Sequence, residues 1–266
     1  MRGGAGVPGG RGVIVGAALG LLLSCQTFFS GERPEDLLRE GGYGGEEFHR
    51  FLLMCRSVWR EYETFPETGW SLEYIRHDGT NTLGGLLRKG DLLYVIFRGS
   101  QAPGDRTDLG QNLRFLPRRP PFGDQPSVRI HRGFLEKYLG IRDDLHQALS
   151  RDPPGRIVFV GHSGGGALGV IAFFDLVGRL PEIEMSVVTF GMPRVFNRAG
   201  AAWFKEHHSR VLRIVMGRDA IAGVPPAFLG FRHVGRLVRV GDRSLLPLFS
   251  FRDHWPGYRD FFAPPE

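Results

Sequence analysis

Cysteine is scarce in this chain: Cys25 and Cys55 are the two it has in 266 residues. Two thiols cannot build a disulfide framework. No pair or quartet of Cys and His stands at metal-ligand spacing, so the sequence offers no structural zinc site. The apolar stretch Val13 to Leu23 falls well short of the roughly 20 residues that a membrane-spanning helix needs. Lys/Arg runs interleaved with aromatics are also missing, so a formal charge of +6 gives no basis for a nucleic-acid partner. Most of the cationic side chains are arginines, which fit a solvated surface. No internal repeat or long low-complexity tract appears.

What is present fits one α/β domain of ordinary composition, 42% apolar and 23% charged. The first 25 residues stand apart. Arg2 and Arg11 give a positive n-region without an acidic residue, and Val13 to Leu23 supplies a signal-peptide core. That core ends in Leu22-Leu23-Ser24-Cys25, which resembles the bacterial lipobox, with Cys25 as the acylated residue. The expectation is a lipoprotein signal peptide over 1–24, a tether over 25–44 and a catalytic domain over 45–266. Membrane association would then run through the N-terminal lipid. Gln26 implies the outer membrane in the Gram-negative scheme. An ordinary secretory signal and an uncleaved anchor are the alternatives. Cleavage lowers the charge from +6 to +4 by removing Arg2 and Arg11.

Along the domain, Phe48, Leu52, Cys55, Trp59 and Tyr62 form one helical stripe within Glu46 to Tyr62, which makes Cys55 a small buried hydrophobe. Ser71 to His77 and Thr82 to Leu87 read as paired strands around the turn Asp78-Gly79. Leu92 to Phe97 is a continuous apolar run, as expected of a strand buried on both faces. The polar, Pro/Gly-rich segment Gln101 to Val128 is too long for a simple connection. Phe134, Tyr138, Ile141, Leu145 and Leu149 then recur at helical spacing. Met185 to Phe190 and Val211 to Val215 are further strands, and Asn197 is placed to cap a helix through about His207. Strands alternating with helices argue for a largely parallel sheet, whose active residues collect at the carboxyl ends of its strands. Ser100, Ser163 and Asp219 all stand at such ends.

Arg156 to Val160 runs into Gly161-His162-Ser163-Gly164-Gly165, and a helical pattern follows at once. This strand–turn–helix context makes a G-x-S-x-G pentapeptide a nucleophile elbow, in which only very small residues fit two places either side of the serine. Four further blocks surround it in order. Val95 to Ser100 and Ile130 to Phe134 precede it. Thr189 to Val195 follows, and then Asp219 with Pro225-Pro226 beyond it. Phe231-x-His233-x-Gly235 and a late His254 complete the series. Together they resemble the class 3, fungal-type lipases of the α/β-hydrolase fold, across about residues 70–260. The resemblance implies a predominantly parallel central sheet with helices on both faces.

It also implies roles. Ser163 is the nucleophile, His254 the base that takes its proton, and Asp219 the group that orients the imidazole. The backbone N–H of Gly164 and Ser100 would form the oxyanion hole. His233, His131 and His162 compete for the base, with His162 bound to the turn and pointing elsewhere; Asp242 and Asp253 compete for the acid. Gly164 stands where the family more often has Leu, and Leu109 where it has Trp. The segment Gln101 to Thr107 carries no amphipathic stripe from which to build an interfacial lid. Leu113, Phe115, Ile221 and Val224 are candidates for the acyl pocket by position.

The function expected is a serine carboxylic-ester hydrolase of the cell envelope acting on lipid or other acyl esters, with no metal or nucleotide cofactor. A phospholipase A or acyltransferase would use the same triad. A non-catalytic envelope protein that binds lipid in the cleft is the third possibility.

Overall fold

In β3 (Leu92–Phe97) and β6 (Arg156–His162), successive side chains enter two different cores. Leu93, Val95 and Phe97 pack with Ile157 and Phe159 on one side, while Tyr94, Ile96, Val158 and Val160 pack on the other. A strand buried on both faces must be apolar at nearly every position, so residues 92–97 and 157–160 are unbroken hydrophobic runs. The computed structural model describes residues 43–99, 116–241 and 252–263.

The sheet has seven strands in the order β1-β2-β3-β6-β7-β9-β11. β1 (Ser71–His77), β2 (Thr82–Lys89) and β3 are antiparallel neighbours. From β3 onward, β6, β7 (Glu184–Phe190), β9 (Val211–Met216) and β11 (Arg236–Val240) are all parallel. The strand–helix alternation in the sequence thus becomes a mainly parallel α/β-hydrolase sheet, with a hairpin added at one edge.

Helices cover both faces. On the first lie α2 (Arg132–Arg151) and α3 (Gly164–Leu176), joined by α4 (Arg198–Glu206) through Phe204. On the second lie α1 (Gly45–Trp59) and α5 (Pro256–Phe261). Phe48, Phe51, Met54 and Val58 of α1 are almost wholly buried. Full burial of such a side chain contributes about 1.5–3 kcal/mol, enough to fix α1 on the sheet. α3 is buried along its whole length, in keeping with its uniformly apolar composition. Asn197 caps α4 as expected, accepting the Gly200 N–H at 3.0 Å.

Two features differ from expectation. α1 ends at Trp59 rather than Tyr62, because Glu61 turns the chain through a positive φ of 55°. Its carboxylate there meets the buried Arg98 guanidinium at 2.8 Å, an ion pair that a continued helix would not form. A second, four-stranded sheet is also present, in the order β10-β8-β5-β4. Its members are β4 (Pro117–Arg118), β5 (Ile130–His131), β8 (Phe196–Asn197) and β10 (Phe231–Arg232). Two-residue strands carry no readable periodicity, so pattern alone does not announce them.

The expected signal peptide over 1–24, Cys25 and nearly all of the tether lie outside the described residues, as do Ser100, Leu113, Phe115 and Asp242. Among the described residues, no helix is long and apolar enough to cross a membrane.

Candidate active site

The elbow is held by close backbone approach. A Cβ on Gly161 would overlap the backbone of Gly165, and one on Gly165 would overlap the Phe97 carbonyl oxygen. Between them Ser163 adopts φ 58° and ψ −130°, a conformation that costs a non-glycine residue on the order of 1–3 kcal/mol. Its N–H donates to Phe190 O at 2.8 Å, which ties the turn to the end of β7. α3 starts at Gly164, so this residue's N–H is one of the first-turn donors that no helix carbonyl satisfies. The aligned peptide dipoles of α3 favour negative charge at the same place.

Asp219 and His254 come together although 35 residues separate them. His254 Nδ1 lies 3.0 Å from both carboxylate oxygens of Asp219. Nδ1 therefore faces the acid, and Nε2 is the ring nitrogen turned away from it. Asp219 follows β9, and its side chain is fully buried. Two more donors hold it: Ile221 N–H at 2.9 Å and the Tyr258 hydroxyl at 2.8 Å. Tyr258 in turn accepts the Met216 N–H at 2.9 Å. Burial, and then the neighbouring Asp219 carboxylate, push the Tyr258 phenol well above its ordinary range, so it stays a donor. Gly191, at φ 60°, passes so close to this pair that a Cβ would reach 3.0 Å from His254 Nδ1 and closer still to Asp219 Oδ2. Arg194 braces the neighbouring loop by donating to the carbonyls of Gly223 and Pro225.

Of the competing histidines, His233 is pushed well below its ordinary range, by burial and then by Arg213. His131 is 1% exposed, its ring 4.6 Å from that of Phe134. Neither lines the cleft that holds Ser163. His162 requires a correction, since it does not point away from the site. Its ring lies 4.4 Å from that of His254, and its Nε2–H donates to the His254 carbonyl at 2.8 Å. Burial, and then His254, lower its pKa to about 3, so it is a neutral brace. Asp253, the rival acid, accepts the Arg218 N–H at 2.9 Å and supports the Asp219 turn from outside.

Ser163 and His254 line one cleft of about 390 Å³. Phe97, Gly99 and His162 share its floor; Cys55, Arg56, Trp59 and Arg60 come from α1 and its end, and Trp255 and Arg259 from around α5. Cys55 is buried as expected, and burial pushes its thiol up to about 12, so it stays protonated beside the nucleophile. Ile221 and Val224 do not line this cleft; Val224 is 39% exposed, and its carbonyl holds the Arg194 N–H. The expected acyl wall is thus not part of this cleft, and the Arg194 N–H holds the Val224 carbonyl at 2.7 Å instead.

Tyr258, Gly191 and the arginines of the cleft are functional candidates that motif reading passed over. Tyr258 could have been found from its place four residues after His254, in Trp255-Pro256-Gly257-Tyr258.

An elbow serine over a parallel sheet, with a buried aspartate just past β9 hydrogen-bonded to a histidine just before α5, defines a member of the serine α/β-hydrolases. The class 3 lipase family model matches residues 94–229, and this chain belongs to that family. A lipase of Rhizopus niveus is 32% identical over 166 residues, covering 59% of this chain and 41% of that protein. A secreted mono- and diacylglycerol lipase of Malassezia globosa is 30% identical over 267 residues, covering 85% of this chain and 81% of that protein. The chain thus spans less than half of the Rhizopus enzyme. In fold it matches the structure of a fungal lipase–inhibitor complex with a TM-score of 0.69 at 21% identity, over 82% of this chain and 95% of that one.

Proposed function

We propose that this protein is a serine carboxylic-ester hydrolase acting on acylglycerols or other lipid acyl esters. The observation that carries the reading is the 3.0 Å contact between Asp219 and His254, with His254 lining the same cleft as the elbow serine. In this mechanism His254 Nε2 takes the Ser163 proton as Oγ attacks the ester carbonyl, and Asp219 stabilises the imidazolium that forms. The oxyanion of the tetrahedral intermediate lies at the start of α3, where the Gly164 N–H donates to it. Ser100 supplies the second donor. His254 then protonates the leaving alcohol, and water releases the acid from the acyl-enzyme by the same steps in reverse.

Export goes with this reading. The N-terminal segment directs the chain out of the cytoplasm, and Cys25 is the position for acylation. Incorporation of labelled palmitate that is lost in Cys25→Ser would support the anchor; unlabelled protein in the medium would replace it with plain secretion.

For the chemistry, a fluorophosphonate probe should label the folded protein at Ser163, and p-nitrophenyl acyl esters should be hydrolysed. Ser163→Ala should abolish both. Equal turnover by wild type and Ser163→Ala would refute the proposal.

A further inference from the structure

The cleft that holds Ser163 is polarised by charge. Arg56 and Arg60 reach it from α1 and its C-terminal end, and Arg259 reaches it from α5. No aspartate or glutamate is among the described residues that line it. Arg56 and Arg60 stand at i and i+4 on one helical face, where like charges repel. Neither has an ion-pair partner among the described residues; the Arg60 guanidinium carbon sits 5.2 Å from the centroid of the Trp59 ring. Among the described residues Arg259 pairs only with the adjacent Asp260 at 2.7 Å, and both side chains are more than half exposed. Such a surface pair is worth little and is readily exchanged for a better anion.

The C-terminal dipole of α1 accounts for a cation in that helix's last turn. It does not account for three guanidinium groups from two helices lining one cleft whose described lining holds no carboxylate. The second core sets this arrangement, because α1 and α5 pack side by side there through Phe48 and Phe262. We infer that the arginine wall of Arg56, Arg60 and Arg259 binds a phosphate group in the alcohol part of the substrate, so that the enzyme prefers phosphate-bearing acyl esters to neutral acylglycerols. A guanidinium fork matches phosphate oxygens two at a time. Cys55, Trp59, Phe97 and Trp255 supply the apolar surface beside it. This inference rests on the hydrolase reading and specifies its substrate class.

The test compares dioleoylphosphatidylglycerol with dioleoylglycerol, each at the same mole fraction in nonionic mixed micelles, using the full chain. The readout is the ratio of their kcat/KM values. Arg56→Gln/Arg60→Gln should lower that ratio roughly tenfold or more, as expected for losing two charge-assisted contacts. Arg56→Lys/Arg60→Lys should recover part of it, since charge returns without the fork. Arg151→Gln/Lys205→Gln removes the same charge at exposed positions away from the cleft and should leave the ratio within about twofold of wild type, which separates local binding from general attraction to an anionic surface. Thermal melts check that each variant is folded. An unchanged ratio in folded Arg56→Gln/Arg60→Gln, or an equal fall in the remote pair, overturns the assignment and leaves the hydrolase reading standing. A wild-type enzyme that hydrolyses p-nitrophenyl esters but neither lipid overturns the assignment alone; one that also fails on p-nitrophenyl esters overturns both.

Discussion

Gly191→Ala is the substitution through which the geometry of the Asp–His pair can be tested without removing either residue. At φ 60° an alanine is strained by about 1–2 kcal/mol before any contact is considered. Its Cβ would also make a tight 3.0 Å contact with His254 Nδ1 and stand closer to Asp219 Oδ2, inside the range that real Cβ atoms essentially never occupy. Asp219 is buried and also held by the Ile221 N–H and the Tyr258 hydroxyl, so the displacement passes mainly to His254, which precedes α5, a helix whose start has no side-chain cap. A shift of the base on the order of 1 Å corresponds to roughly a hundredfold loss in rate. The expected outcome is a kcat on p-nitrophenyl butyrate down by about that factor, KM little changed, and a modest fall in Tm. Gly178→Ala is the control: a Cβ there meets nothing within 4 Å, and activity should stay at the wild-type level. Wild-type kcat in a folded Gly191→Ala protein would refute the argument that this glycine makes room for the pair.

Other outcomes follow from the same contacts. Tyr258→Phe removes a donor to Asp219 and leaves the Met216 N–H without its acceptor, so unfolding in urea should show a loss of about 1–3 kcal/mol, alongside a severalfold fall in kcat. Asp175 is buried between α2 and α3, where it accepts from Tyr138 at 2.7 Å, Arg142 at 2.6 Å and His146 at 3.0 Å. Asp175→Asn should destabilise the fold by about 3–5 kcal/mol at neutral pH, measured by denaturant unfolding, because charged partners lose their carboxylate. Burial opposes the Asp175 charge, but His146, Arg142 and Tyr138 hold its pKa down to about 2. A depressed carboxylate contributes stability above its unfolded value near pH 4 and loses it as pH falls through about 2. Wild-type stability should therefore drop across that window, and the Asp175→Asn profile should be flatter there.

Much of the architecture was legible because burial on two faces leaves a mark in sequence. Leu92 to Phe97 is apolar without a break, Met185 to Phe190 is interrupted only by Ser186 and Thr189, and the structure puts both inside the sheet. The elbow was legible because Gly161 and Gly165 answer a steric need that few other residues could meet. Asp219 and His254 could be paired only through the order of motifs, since nothing local in either segment points to the other. His162 was misjudged for a related reason: the turn fixes its backbone, but its ring is placed by His254 from the far end of the chain. The arginine wall left no local signal at all. Arg56 and Arg60 read as the solvated side of an amphipathic helix, and only the packing of α1 against α5 turns that side toward Ser163. Ser100 and Cys25 remain expectations carried by motif.

The ion pair that ends α1 joins two parts of the molecule with separate duties. Glu61 closes the helix that bears Arg56 and Arg60, and through Arg98 it grips the end of the strand that leads into the floor of the cleft. Ser163 and Asp219 thus stand on turns of the parallel sheet, while the arginine wall is borrowed from the first and last of the described helices. Residues of that wall can be exchanged without rebuilding the elbow or the Asp–His pair. Selection can therefore retune which esters enter this cleft far more freely than it can alter what happens to them there.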